Sequence, residues 1–164
     1  MEGRNQADAM GYHFVKVYLE AEPPSSHYKT LGLGRLSFKK RHTYTYFYKA
    51  LMVYLGYWHV CNAASEEQGL IFLKYFDEKM QKERSANEML LYKSHFSHIA
   101  GLALAGEGGS ADPIYIITLD MIREVCGGDE AAARSMYAIY HGLKTGRIAS
   151  LASSFSLKSI TAPA

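Results

Sequence analysis

The sequence predicts a mainly α protein: a single compact domain of five to seven helices around a central aromatic helix, with little or no sheet. Three observations carry this reading. A chain of 164 residues that is 48% hydrophobic and 21% charged fits one globular domain, burying roughly two thirds of its unfolded surface. Apolar residues recur at spacings of three and four along most of its length. Two segments, starting at Ser65 and Ser85, carry the S-x-x-E/Q pattern that opens helices.

In residues 6–21, Ala7, Met10, Phe14, Val17 and Ala21 mark one helical face. The alternation of Val15, Val17 and Leu19 with polar neighbours competes as a strand pattern, and the helix is preferred. Either element must stop at Pro23-Pro24. Residues 22–41 carry both early prolines and two glycines and read as a long connection. The glycine pair in Leu31-Gly32-Leu33-Gly34 has neither the third glycine of a dinucleotide fingerprint nor the G-K-[ST] of a P-loop, so it reads as a turn.

The central helix is expected over His42–Asn62. Phe47, Leu51, Tyr54, Trp58 and Cys61 form its stripe, widened by Tyr44, Tyr48, Met52 and Leu55, and its polar line is only His42, Lys49, Gly56 and His59. A helix apolar over most of its circumference must be surrounded by other elements. The Ser65 box opens a helix to about Arg84 with Leu70, Leu73, Phe76 and Met80 inward. The Ser85 box opens another to about Ala105 with Met89, Tyr92, Phe96, Ile99 and Ala103 on one face. The short link between them predicts antiparallel neighbours.

A glycine-rich loop spans 106–117, with 113–117 extended. Thr118 caps a helix over 119–126, ended by Gly127-Gly128, and Asp129 caps a helix from Glu130 to about Leu143. Ile148, Leu151, Ala152 and Phe155 fall at helical spacing, so a short docked helix is expected within 147–158, and residues 159–164 are expected to fray.

Composition narrows function less than fold. Thirteen tyrosines against seven phenylalanines and one tryptophan supply rings with a polar tip, which pack in partly wet cores and are enriched at binding surfaces. A net charge of +2 argues neither for nor against nucleic acid, since a dedicated binder usually shows a stronger, clustered excess. Cys61 and Cys126 lack metal or redox spacing and suit a reducing compartment. The longest apolar run, Tyr46–Ala64, is interrupted by Lys49, Gly56, His59 and Asn62 and falls short of a bilayer span. The first ten residues lack the apolar stretch of a leader. A cytoplasmic protein is expected.

No catalytic signature is present: there is no G-x-S-x-G elbow and no local cysteine signature, and no cofactor is expected. The preferred reading is a small non-catalytic helical protein that binds another protein, in an adaptor, chaperone-like or inhibitor role. Its contact rings would be Tyr28, Tyr44, Tyr46 and Tyr57. The alternative is nucleic-acid binding through Arg35, Lys39, Lys40 and Arg41, where cations run into a tyrosine-rich stretch (35–48), aided by a helix-turn-helix-like outline over 118–148. Against that outline, the second helix opens with two carboxylates and three alanines, a poor face for phosphates. The second alternative is a metalloprotein using His95 and His98, an i, i+3 pair needing further ligands such as His42, His59 or His141.

Overall fold

The computed structural model describes residues 2–106, 109 and 112–155. Within them lie six helices of 14 to 26 residues and two of six and seven residues, with no strand: α1 (Glu2–Glu20), α2 (Ser25–Thr30), α3 (Phe38–Ala63), α4 (Glu66–Glu83), α5 (Ala86–Gly106), α6 (Pro113–Cys126), α7 (Glu130–Thr145) and α8 (Arg147–Ser153). The mainly α reading holds, and residues 6–20 of the ambiguous segment belong to a helix. The expected frayed tail, 159–164, lies outside the described residues.

α3 is the hub, touching α1, α4, α5, α6 and α8. Every residue from Phe47 to Gly56 is buried, so even the middle of its expected polar line faces inward. Lys49 keeps a hydrated partner by reaching the end of α1: its Nζ donates to the Leu19 carbonyl at 3.3 Å and lies 3.7 Å from the exposed Glu22 carboxylate. α1 has no basic residue of its own in its last turn, and the ammonium compensates the free carbonyls there. Gly56 lets the Phe14 ring of α1 lie against the α3 backbone, where a Cβ would overlap that ring.

α1 seals the other side of this layer. Phe14 and Phe72 meet edge-on at 5.2 Å, Tyr18 meets Tyr92 at 5.4 Å, and Phe76 meets Tyr92 at 4.8 Å. Full burial of each such ring stabilises the fold by roughly 2–3 kcal/mol. α4 makes its broadest contact with α1 rather than α5. The expected α4–α5 pair meets mainly where Phe76 faces Tyr92. Leu70, expected inward, is exposed, and Phe72 takes the core position.

Local signals act as written in part. Ser65 Oγ accepts from the Gln68 amide at 3.2 Å and Ser85 Oγ from the Glu88 amide at 3.3 Å. The reciprocal half of the first box does not form: Gln68 Oε1 is buried without a hydrogen-bond partner.

Two expected boundaries are corrected. Residues 113–117 are helical, not extended. Asp112 Oδ1 accepts from the Ile114 amide at 3.0 Å and Pro113 occupies the first turn, a favoured helix start. Ile114, Ile117, Met121, Ile122 and Val125 then bury one face. Thr118 is therefore no cap: it is buried mid-helix, donating to the Ile114 carbonyl at 2.6 Å. Segment 22–41 is also not a plain connection, because it contains α2 and the first turn of α3.

α8 docks as expected, with Ile148 and Ala152 buried and Leu151 and Phe155 half-buried. No helix of the described residues is long and apolar enough to cross a membrane.

Candidate functional site

Some of the residues singled out by sequence, Tyr28, Arg35 and Arg41, come together where α2, the turn after it and the start of α3 meet. α2 is too short to persist alone, and tertiary bonds hold it. Buried His27 receives a hydrogen bond at Nδ1 from the Tyr44 hydroxyl (2.8 Å), and Tyr44 in turn accepts from Tyr140 of α7 (2.9 Å). With Tyr140 donating to Tyr44, the Tyr44 proton is free for His27 Nδ1, an arrangement that suits a neutral imidazole protonated on Nε2. Burial holds the imidazole pKa below its ordinary range and pushes both phenols upward. The Cys126 thiol of α6 donates to the Leu31 carbonyl at 3.1 Å, and burial raises its pKa too.

The turn after α2 is a Schellman motif. The Leu33 amide bonds the Tyr28 carbonyl at 2.8 Å, the Gly32 amide bonds the Lys29 carbonyl at 3.1 Å, and Gly32 has φ of 68°, the left-handed conformation glycine adopts without strain. The turn reading of the glycine pair stands on this geometry.

These tethers fix a cationic surface. Tyr28 donates to Thr45 Oγ1 at 2.8 Å, and Thr45 donates to the Arg41 carbonyl at 2.9 Å. The Arg41 guanidinium lies over the Tyr28 ring, 4.2 Å from its centroid. Lys29, Arg35 and Arg41 line a groove of about 440 Å³ with Ser25, Tyr28 and the backbone around Gly32–Gly34. Arg41 Nε is buried without a hydrogen-bond partner. Beside the groove, Leu36 and Phe38 are 91% and 72% exposed, with Lys39 and Lys40 exposed next to them.

None of Lys29, Arg35, Lys39, Lys40 and Arg41 forms an ion pair among the described residues. From Pro23 to Ser65 the chain has no Asp or Glu but six Lys or Arg, which leaves twelve cations against sixteen carboxylates elsewhere. The near-neutral whole-chain charge conceals this separation, and the carboxylate-free stretch was the sequence signal that could have revealed it. Asp129, at the start of α7, is engaged in capping its own helix, its carboxylate accepting from the amides of Ala131 and Ala132.

The four tyrosines proposed as contacts do not share one exposed face. Tyr44 is fully buried, so its ring offers nothing to a partner and its role is to anchor His27. Tyr28 and Tyr46 are half-buried near the basic turn, Tyr46 beside His42 at 4.8 Å. Tyr57 sits elsewhere, against Tyr54 and Phe96, its hydroxyl pKa raised by burial and by a hydrogen bond with Cys61. Of the four cations, Arg35 and Arg41 line the same groove, and Lys39 and Lys40 are exposed outside its lining. Leu36 and Phe38 were missed because an apolar residue carries no exposure label in sequence.

His95 is half-buried, its pKa lowered chiefly by burial, while His98 pairs with Asp120 at 2.7 Å. Among the described residues no three His, Cys, Asp or Glu side chains gather to hold a metal. The 118–148 outline is two helices, α6 and α7, joined by Gly127 in the left-handed conformation. Ala132 and Ala133 of its second helix are buried, so that face packs inward. Compared with family models, curated proteins and solved structures, the chain matches none.

Proposed function

We propose that this protein is a non-catalytic binding protein that docks on an acidic surface of another protein through the tip at residues 34–41. The observation that carries the reading is the pairing of exposed Leu36 and Phe38 with unpaired Arg35, Lys39 and Lys40. Apolar anchors ringed by cations complement a partner that offers an apolar contact rimmed with carboxylates. The two free thiols suit a cytoplasmic setting.

The reading as a nucleic-acid binder uses the same cations but has fewer rings for stacking. Tyr44 and Tyr48 are buried, and Leu36 has no π face.

The test is affinity capture from a cytoplasmic extract with the wild-type chain and a Leu36→Asp/Phe38→Asp variant, with and without nuclease. A protein retained by the wild type, insensitive to nuclease and lost with the variant is the expected result. Equal retention by both chains refutes the docking tip, and loss on nuclease treatment assigns it to nucleic acid.

A further inference from the structure

We propose that the groove lined by Lys29, Arg35 and Arg41 binds a phosphate monoester, and that the partner segment docking here is phosphorylated. The partner assignment rests on the docking reading above, whereas the groove stands on its own geometry.

Arg41 is held in place before any ligand arrives. Its guanidinium rests on Tyr28, whose hydroxyl is anchored to Thr45, and Thr45 in turn holds the Arg41 carbonyl. Stacking restricts the side chain, so less rotamer freedom is lost when an anion binds. Arg41 lines the groove, while its Nε is buried without a hydrogen-bond partner. A buried donor left unpaired is costly, and a small turn of the guanidinium toward a bound oxyanion would relieve that cost. A guanidinium presents paired donors matched to phosphate oxygens, and Lys29 and Arg35 add two cations free of carboxylate partners.

Three cations around one cavity suit the double charge of a phosphomonoester near neutral pH better than a single carboxylate. The volume of about 440 Å³ accommodates one phosphorylated side chain. Leu36 and Phe38 lie next to the groove in sequence, positioned to pack an apolar residue flanking the phosphorylated one. A polynucleotide would demand a track of cations and several stacking rings, whereas Lys29, Arg35 and Arg41 line one groove and Phe38 is the single ring of residues 34–41. These features favour a phosphopeptide.

The experiment is fluorescence anisotropy of the full chain with degenerate peptide libraries, fixed at the centre as phosphoserine, phosphothreonine or phosphotyrosine, against the unphosphorylated libraries. A parallel arm measures co-sedimentation with phosphatidylcholine vesicles containing a phosphoinositide. Expected is at least tenfold tighter binding of one phosphorylated library, lost by fivefold or more in Arg41→Lys, which keeps the charge but not the planar fork. Lys29→Gln, an exposed change with little risk to folding, should weaken the same binding, and circular dichroism confirms that both variants are folded.

Equal affinity for phosphorylated and unphosphorylated libraries overturns the proposal. Vesicle binding without peptide binding overturns it in favour of a lipid headgroup. Phosphopeptide binding that survives Leu36→Asp/Phe38→Asp but not Arg41→Lys keeps the groove and removes the docking tip. Partner capture that needs Leu36 and Phe38 but ignores phosphatase and Arg41→Lys does the reverse.

Discussion

Replacing Tyr44 by Phe should destabilise this protein far more than replacing Tyr140 by Phe, although each change deletes one oxygen. The Tyr44 hydroxyl is the middle of a buried chain: it accepts from Tyr140 at 2.9 Å and donates to His27 Nδ1 at 2.8 Å. Tyr44→Phe breaks both bonds and leaves a buried donor on Tyr140 and a buried acceptor on His27. A net hydrogen bond contributes about 0.5–1.5 kcal/mol, and each orphaned buried group costs about 1–3 kcal/mol. The expected loss is therefore about 2–4 kcal/mol, or roughly 5–15 °C in Tm for a chain of this size. Tyr140→Phe removes one bond and strands nothing, since Tyr44 still donates to His27, so about 1 kcal/mol is expected. Urea unfolding followed at 222 nm, with unchanged m-values, measures both. A Tyr44→Phe cost within about 0.5 kcal/mol of the Tyr140→Phe cost would refute the reasoning.

The same chain makes stability depend on pH. Burial lowers the folded-state pKa of His27, and of His95 in the same direction, so the unfolded chain binds more protons below its ordinary value of about 6.5. Stability contributed by these neutral imidazoles should be present above that pH and lost as the pH falls through it; His95→Gln isolates the His27 share in urea midpoints at pH 7.5 and 5.5. Burial raises the pKa of Tyr44 and Tyr140, so stability should also fall as the pH rises past about 10, seen as a steep alkaline drop in midpoint that Tyr140→Phe softens. Two helical glycines should respond oppositely to alanine. A Cβ at Gly11 would overlap the Phe72 carbonyl of α4, whereas one at Gly101 meets nothing within 4 Å. Gly11→Ala should cost more than about 2 kcal/mol despite its better helix propensity, and Gly101→Ala should stabilise by about 0.5–1 kcal/mol, both read from Tm.

Legibility differed by element. The stripe in α3, the serine caps of α4 and α5 and the Asp129 cap of α7 act within a few residues of themselves, so they can be read directly. The Asp112-Pro113 start of α6 was equally local, but the isoleucine run after it mimicked a strand. α2 and the first turn of α3 were not legible, because their causes lie elsewhere in the chain: Tyr140 is 96 positions from Tyr44, and Cys126 is 95 from Leu31. The cations of the candidate site were visible, but their apolar companions were not.

Sequence alone determined that this chain is helical and that its aromatic helix lies at the centre, because periodicity and capping are short-range and a helix apolar all round has nowhere else to go. Tertiary structure alone decided which tyrosines are anchors, with Tyr44 spent inside the core, and that Lys29, Arg35 and Arg41 line one open groove. Burial and convergence are properties of pairs brought together by folding, and spacing along the chain does not encode them.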